Sequence, residues 1–320
     1  MIRLDNETSI IGFDDGYQLG KTANFIFDNG VHFLGSAEPT LKENSLLYDG
    51  EYFKVGERTA ITEDKVSDES ARLRTMTGIA IELRKGGLHK AEVILAVGLP
   101  FSNYGRDKLK LINYYNRENV LDFTYEGEDY SVTIVKVIVC PQCYSAIASR
   151  LGNMKDDYLI VDIGSKTTDV VYVRNGFPVE SKSITIEKAM VKWIKEVQRE
   201  MKVQTGKDIS EHEVMKVLLT EESNLPVVYA ELIHGMLREK IHSLELELAE
   251  RGYDMDYTNI IYVGGGALMA RDHAGESTGA IQPMTVICAP TQKDMSFLRG
   301  RWLERRWSDG GKAEINIHPL

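Results

Sequence analysis

A carboxylate placed just before a small, hydroxyl-rich turn is the feature of this sequence that most directly suggests chemistry. Asp162 ends the apolar run 159–161, and the turn after it has small, hydroxyl and amino side chains: Gly164, Ser165, Lys166, Thr167 and Thr168. Glycine lets a backbone approach a ligand closely, and the N–H and hydroxyl groups of such a turn can cradle phosphate oxygens. Because a bare carboxylate repels phosphate, Asp162 indicates a divalent metal ion between the two.

The same pattern occurs near the start of the chain. The largely apolar run 9–13 leads to Asp14, and turn-forming or polar residues follow it: Asp15, Gly16, Tyr17, Gln18 and Lys21. A repeated strand–turn–strand unit predicts two turns that face one nucleotide from both sides. Aspartate and glycine are also common in ordinary hairpins, so either unit alone is explained without a ligand. Asp15 and Asp169 have the further alternative of bonding N–H groups of their own turns.

A third candidate segment consists of consecutive glycines after the predicted strand 259–263: Gly264, Gly265 and Gly266, followed by Ala267. Without side chains, these residues offer a surface on which a purine, ribose or phosphate can lie. The spacing matches neither the dinucleotide fingerprint G-x-G-x-x-G nor the phosphate loop G-x-x-x-x-G-K-[ST]. The alternative is that the glycines only allow a helix and a strand to pack closely.

Five polar side chains receive specific roles in this phosphate-site hypothesis. Asp14 and Asp162 are predicted to hold Mg²⁺ largely through water, because Mg²⁺ keeps most of its hydration. Lys21 and Lys166 compensate phosphate charge, with a solvated loop lysine as the alternative for each. Gln142 follows a strand end and is predicted to place water for in-line attack. By residue type alone, a polar loop glutamine is the favoured alternative for Gln142.

Cysteines and the C-terminal residues offer weaker signals. Cys140 and Cys143 form a C-x-x-C pair, but Cys288 is the only other cysteine and no suitably spaced histidines occur nearby. A zinc site needs four ligands, so two small buried thiols are favoured over a metal or redox pair.

The basic, aromatic segment 297–307 is predicted to be an amphipathic helix that packs on the first domain, with contact to DNA as the alternative.

Composition restricts the class of protein. The 320 residues are 43% hydrophobic and 27% charged, which is typical of a globular protein long enough for two domains. The net charge of −10 and the pI near 5.3 argue against a large electrostatic contact with nucleic acid or anionic membrane. No apolar run approaches the roughly 20 residues of a spanning helix, and the first residues lack a signal region. We therefore expect a cytoplasmic protein.

Hydrophobic periodicity predicts the elements that must position these residues. Helices are predicted over 69–85, 107–117, 144–151, 189–201 and 226–250. Strands are predicted over 9–15, 23–27, 91–99, 120–125, 130–139, 159–161, 184–186 and 259–263, with 31–34 extending the first hairpin. Strands and helices alternate similarly in both halves, which predicts an α/β protein with mixed sheets and a cleft between the halves. Ligands in such sheets lie at the carboxyl ends of strands, where all three candidate segments fall.

At these residues the sequence resembles the actin-like ATPase superfamily, and within it the ParM-type bacterial actins that segregate plasmids. The segments that carry the resemblance occur in the family's order and span most of the chain: 14–21, 141–142, 162–169 and 263–267. Gln142 falls where the family carries its water-positioning residue, which favours the catalytic role. Tyr17 departs from the family, because a small hydroxyl residue or Asn usually follows the first glycine.

The resemblance implies the actin-like two-domain α/β fold, with duplicated ribonuclease-H-like mixed sheets and flanking helices around a nucleotide cleft. Domain I would comprise 1–157 plus 290–320, with a small subdomain at about 35–88, and domain II would comprise 158–289, with a small subdomain at about 188–255. It implies ATP or GTP with Mg²⁺, catalysis by Gln142 and Asp162, and head-to-tail filaments that disassemble after hydrolysis. It further implies a ParR-like adaptor bound to centromeric DNA, with no direct contact to nucleic acid or membrane.

Two other functions fit the same sequence features. A small-molecule kinase on this fold would need an acidic general base for a hydroxyl nucleophile, whereas the matching position holds Gln142. A non-filamentous, partner-binding ATPase would carry a peptide-binding domain or a membrane-targeting tail. The filament-forming ATPase is therefore the favoured prediction.

Overall fold

The computed structural model describes residues 1–4, 7–57, 69–143, 147, 155–219, 224–267 and 269–270. Within these ranges the chain forms two β-sheets with five flanking α-helices. The helices are α1 (Glu69–Lys85), α2 (Tyr104–Asn116), α3 (Met190–Thr205), α4 (Glu211–Leu219) and α5 (Val227–Glu250). No helix in the described ranges combines the length and the apolar character needed to cross a bilayer.

The first sheet has ten strands from the first half of the chain. They are β1 (Ile2–Arg3), β2 (Thr8–Asp15), β3 (Leu19–Thr22), β4 (Ile26–Asp28), β5 (Val31–Gly35), β6 (Ser45–Tyr48), β7 (Glu51–Val55), β8 (Lys90–Leu99), β9 (Val120–Tyr125) and β10 (Glu128–Pro141). Their order is β4-β3-β2-β8-β10-β9-β6-β7-β5, with β1 paired to β2. Strands β2, β8 and β10 run parallel and their outer neighbours antiparallel, so the sheet is mixed as predicted.

The second sheet has five strands from the second half. They are β11 (Asp157–Ile163), β12 (Thr168–Arg174), β13 (Phe177–Pro178), β14 (Ile184–Ile186) and β15 (Asn259–Val263). The order is β13-β12-β11-β15, and β14 also pairs with β12. Only β11 and β15 run parallel, and both are buried along most of their length. Parallel strands covered on both faces have continuous apolar runs, which explains the clear sequence signal of these two strands.

Three apolar clusters hold the described residues together. One lies between the first sheet and helices α1 and α2, and another between the second sheet and helices α3, α4 and α5. The third cluster contains residues from both sheets and from the segment that connects them: Ile10, Ala96, Cys140, Cys143, Ile147, Ile160, Val171, Val173, Ile261 and Val263. The two sheets are therefore joined by a shared core, here called the inter-sheet cluster.

Most predicted elements are found, with two local differences in the first sheet. The segment 23–27 is a turn followed by β4, because the N–H of Thr22 donates to the carbonyl of Phe25 at 2.8 Å. Asn24 stabilises this turn through bonds of its backbone and amide N–H groups to Glu82. Strand β5 pairs with β7 and does not extend the first hairpin. The helix predicted over 144–151, apart from residue 147, lies outside the described residues, as do Cys288 and the segments 290–320 and 297–307.

Candidate functional site

Two hairpin turns with the same hydrogen bonding follow β2 and β11. In the first turn, residues 16–19, the N–H of Gly16 donates to the carbonyl of Leu19 at 3.1 Å. In the second turn, residues 164–167, the N–H of Gly164 donates to the carbonyl of Thr167 at 3.0 Å. The repeated strand–turn–strand unit predicted from the sequence is therefore present, with one copy on each sheet.

The aspartates that precede the two turns face the same space. Side chains alternate between the two faces of a strand, so Asp14 shares a face with Ile10, and Asp162 shares a face with Ile160. Both isoleucines belong to the inter-sheet cluster. The Asp14 carboxylate therefore lies on the face of the first sheet that packs against the second sheet, and the Asp162 carboxylate lies on the corresponding face of the second sheet.

Asp14 is 3% exposed and both of its carboxylate oxygens have partners. Nε2 of Gln142 donates to Oδ1 at 2.8 Å, and Nζ of Lys21 lies 3.4 Å from Oδ2. The backbone N–H of Gln142 donates to the carbonyl of Leu99 at 2.7 Å, and its side chain packs against Gly98. The structure thus brings three predicted site residues together and fixes the direction of the Gln142 amide.

Two residues that the sequence did not single out hold the first turn. Arg74 on α1, with its side chain 2% exposed, donates to both carboxylate oxygens of Asp15 at 2.7 and 2.8 Å. Nδ2 of Asn29 donates to Oδ1 of Asp15 and to the carbonyl of Gly16, both at 2.6 Å. Breaking a buried pair of this kind by removing one partner costs about 3–5 kcal/mol. The Asp15 carboxylate therefore positions the turn through a guanidinium and an amide, whereas the sequence suggested turn N–H groups.

The second turn is anchored to the start of α3. The N–H of Val191 donates to the carbonyl of Ser165 at 2.9 Å, so a first-turn donor of the helix binds the turn directly. The buried hydroxyl of Thr168 donates to the carbonyl of Lys188 at 2.7 Å. These bonds attach the turn to the start of α3, and they leave the Lys166 side chain exposed.

Asp162 lies directly opposite Asp169 in the pairing of β11 with β12. Asp169 is buried and accepts a bond from the Thr185 hydroxyl at 2.5 Å. Two like charges opposite each other on neighbouring strands are unfavourable, and a cation beside them relieves the repulsion. With Asp14 facing the same space, the hard oxygen ligands fit Mg²⁺, which binds through one or two carboxylates, water and substrate phosphate. In the described part of the chain, no group of three or more His, Cys, Asp or Glu side chains is close enough to hold a metal ion without other ligands.

The glycine cluster, Gly264–Gly266, packs against the end of β11. A Cβ added at Gly264 would overlap Oδ1 of Asp162, and one added at Gly266 would overlap the side chain of Ile163. Gly265 is exposed, and a Cβ there would meet nothing within 4 Å. Close packing explains two of the glycines, and only the middle one presents an open surface.

Buried contacts fix the position of this cluster. The hydroxyl of Tyr262, the residue before Val263, donates to Oε1 of Glu245 on α5 at 3.1 Å. Burial raises the pKa of Glu245, and the bond from the Tyr262 hydroxyl opposes this shift. Ala267, after the glycines, is 1% exposed. Strand β15 is thereby tied to α5 just before the chain reaches the glycines.

We expect Gly264→Ala to lower the free energy of unfolding by about 1–3 kcal/mol, because its φ of +83° is strained for any other residue. We also expect nucleotide affinity to fall by about tenfold or more, because the added methyl displaces the Asp162 carboxylate. Thermal unfolding and titration with a fluorescent ATP analogue measure the two effects. Gly265→Ala is the matched control for stability, because a Cβ at this exposed glycine meets nothing within 4 Å, and an equal loss of stability in both variants would contradict the packing argument.

Side chains of the two turns contact each other. Nζ of Lys166, from the second turn, lies 5.5 Å from the ring centroid of Tyr17 in the first turn. A cation over an aromatic face at this distance is an attractive contact. A second bridge between the halves joins the hydroxyls of Ser102 and Thr185 at 2.7 Å. Tyr17, the position that departs from the resembled family, thus contacts a lysine predicted to bind phosphate.

A cavity of about 880 Å³ begins at the second turn and runs along one face of α3. It is lined by Ser165 and Lys166 of the turn, and α3 contributes mainly cationic side chains: Lys192, Lys195, Arg199 and Lys202. Two carboxylates also line it, Glu187 and Asp208, and Asp208 pairs with Lys202 at 2.8 Å, so the cations remain in excess. The volume is within the range of about 300–1,000 Å³ that is typical of small-molecule sites. In a chain of net charge −10, this lining fits an anionic ligand whose phosphates reach the second turn.

The sequence analysis did not identify the residues that contact the turns but are distant from them in sequence. Arg74 lies on a correctly predicted helix, but periodicity alone does not show that a charged residue points inward. Asn29 and Thr185 lie on or beside short strands with no strong pattern. The one available signal was that aspartates lie at the ends of strands predicted to be buried. A buried carboxylate requires a polar or charged partner, so such partners could have been expected elsewhere in the chain.

Comparison with protein families assigns both halves of the chain. Residues 32–144 match the model for the N-terminal domain of actin-like proteins. Residues 160–276 match the model for the C-terminal domain of the archaeal, MreB-like actin homologue. Both halves of the chain are thus similar to domains of actin-like proteins. The family resemblance that the sequence motifs carried is thereby confirmed.

Solved structures have the same fold as this actin-like protein. The psk41 ParM protein matches with a TM-score of 0.69 and 15% identity over 92% of this chain and 97% of that chain. The archaeal actin homologue Ta0583, in complex with ADP, matches with a TM-score of 0.66 and 21% identity over 91% and 99%. The AlfA filament bound to AMPPNP matches with a TM-score of 0.60 and 16% identity over 92% and 97%. No curated protein matches the chain. The predicted actin-like α/β fold is confirmed.

Proposed function

We propose that this actin-like protein is an ATPase that assembles into filaments with ATP and disassembles after hydrolysis. The observation that carries the proposal is the pair of equivalent turns, one on each sheet, that meet at the contact between Tyr17 and Lys166. A nucleotide whose phosphates lie between two such turns touches both sheets at once. ADP in the archaeal homologue and AMPPNP in the AlfA filament support this choice of ligand.

Hydrolysis would depend on the residues gathered between the sheets. Asp162, with Asp14, would hold Mg²⁺ largely through water, and the ion would neutralise charge on the phosphates. The Gln142 amide nitrogen donates to Asp14, so its oxygen is directed away and can accept a proton of the attacking water. Lys21 and Lys166 would compensate the remaining phosphate charge.

Filament turnover follows from linkage between the nucleotide and the sheets. A γ-phosphate that binds both turns favours the arrangement in which they are close, and its loss removes that preference. A subunit with one fixed arrangement can repeat a head-to-tail contact that does not close on itself, which yields a filament. The AlfA filament is an example with this fold.

For the cellular role we propose segregation of plasmid or other DNA in the cytoplasm. The filament would reach DNA through an adaptor of the ParR kind bound to centromeric sites. The similarity in fold to the psk41 ParM protein supports this role, and the acidic composition fits a filament that does not bind DNA itself.

The test is light scattering of the purified chain after addition of Mg-ATP, with phosphate release followed in parallel and Mg-ADP and Mg-GTP as comparisons. We expect scattering to rise with ATP and to decay as phosphate appears. Phosphate release with flat scattering at high protein concentration would instead indicate a non-filamentous ATPase. Transfer of phosphate to a sugar, with little free phosphate, would indicate a small-molecule kinase.

A further inference from the structure

Cys143 combines complete burial with an unusual backbone conformation. It is 0% exposed, and its φ of +66° lies in the left-handed region, where residues with a Cβ are uncommon. It directly follows Gln142 at the end of the first sheet. A strained backbone next to a site residue indicates that the surrounding contacts impose this conformation.

The Cys143 side chain reaches the second sheet. Its Sγ lies 3.5 Å from the carbonyl oxygen of Ile160 and 3.8 Å from that of Asp169. Ile160 is on β11, two residues before Asp162, and Asp169 is the residue opposite Asp162 on β12. The thiol therefore contacts both strands that carry the second turn.

The preceding residue makes the corresponding contact to the first sheet. The amide of Gln142 donates to Asp14 at 2.8 Å, and its backbone N–H donates to Leu99 at 2.7 Å. Two consecutive residues thus bind opposite sheets, beside the two carboxylates predicted to hold the metal ion. Because they share one peptide bond, a shift of β11 and β12 against Cys143 is transmitted to the Gln142 amide.

We propose that Cys143 is a positioning residue that couples the second sheet to the orientation of Gln142. The role deepens the proposed ATPase, since it links movement of the sheets to the residue that would place water. One S–H proton serves two carbonyl oxygens, so the thiol can follow a small displacement of either strand. The polarizable sulfur also packs well in the apolar inter-sheet cluster, which a hydroxyl would do less well.

Cys140 is the natural control because it belongs to the same cluster and is 4% exposed. Burial raises the pKa of its thiol to about 12, so it is protonated and unreactive at neutral pH. Among the described contacts, its sulfur makes no bond to the second sheet. Removing Cys140 therefore perturbs packing without breaking the proposed coupling.

The first experiment compares Cys143→Ala, Cys143→Ser and Cys140→Ala by hydrogen exchange without nucleotide. We expect Cys143→Ala to accelerate exchange of the Gln142 N–H by about tenfold, with Cys143→Ser in between and Cys140→Ala close to the parent. This readout does not depend on ATP. Unchanged exchange at Gln142 in a folded Cys143→Ala protein would overturn the coupling, whether or not the chain hydrolyses ATP.

The second experiment measures steady-state hydrolysis by the same variants. A positioning role predicts that Cys143→Ala lowers kcat by about tenfold with KM for ATP nearly unchanged, and that Cys143→Ser restores part of the rate. A merely structural cysteine would lower Tm equally in Cys143→Ala and Cys140→Ala and leave both kcat values at the parent level. That outcome would overturn the proposal, whereas a parent chain without any ATP turnover would overturn the ATPase function.

Discussion

Asp162→Asn is expected to reduce the rate of ATP hydrolysis by at least about 100-fold, or about 2.7 kcal/mol in the activation barrier. The amide keeps the shape of the carboxyl but loses the charge that would hold Mg²⁺. Without nucleotide, the variant should be at least as stable as the parent, because repulsion between Asp162 and Asp169 on facing strands disappears. Phosphate release and thermal unfolding, each with and without Mg-ATP, measure both effects.

Asp156→Asn is the matched control, since it makes the same change at an exposed carboxylate directly before strand β11, which carries Asp162. The parent and this control should both gain Tm on addition of Mg-ATP, as expected when a ligand binds only the folded state. Asp162→Asn should lose most of that gain. Full-rate phosphate release by Asp162→Asn would remove this residue from the metal site.

Gln142→Ala is expected to slow hydrolysis by about 10–1,000-fold while nucleotide binding and assembly persist. The structure fixes the Gln142 amide through its bond to Asp14, so alanine removes the group proposed to orient water and leaves the turns in place. Filaments of the variant should form with Mg-ATP and outlive those of the parent, because the hydrolysis that triggers disassembly is slow. Light scattering and phosphate release in the same sample separate assembly from turnover.

Gln198→Ala provides the comparison for this substitution. Gln198 also donates through its amide, to the carbonyl of Ile209 at 2.8 Å, but it lies on α3 along the cavity wall. Loss of that bond should cost about 1 kcal/mol of stability and leave filament lifetime unchanged at saturating Mg-ATP, where a loss of nucleotide affinity has no effect. Equal lifetimes for Gln142→Ala and the parent would exclude Gln142 from the mechanism.

The position of Cys143 connects these two experiments. Asp162 is on a strand that the Cys143 thiol contacts, and Gln142 is the residue before it. If the thiol transmits movement between them, the losses in Cys143→Ala and Gln142→Ala should not add, because both act on the orientation of one amide. A double variant with the full product of both losses would indicate two independent effects.

The secondary-structure elements and the placement of the motifs could be predicted from the amino-acid sequence alone. Strands β8, β11 and β15 were clear because parallel, doubly covered strands need continuous apolar runs. Helices α1 and α5 were clear because one apolar stripe repeats along each. The turns after Asp14 and Asp162 could be recognised since glycine and hydroxyl residues are locally required there, independently of the rest of the chain.

The side chains that support those turns could be identified only in the folded molecule. The bonds of Arg74 and Asn29 to Asp15, of Gln142 to Asp14 and of Cys143 to Ile160 join residues that are distant in sequence. The packing of Gly264 on Asp162 likewise depends on the parallel pairing of β15 with β11. Hydrophobic patterning records which face of an element is buried. It does not record which polar partner lies opposite, because that choice is made only when separately formed elements come into contact.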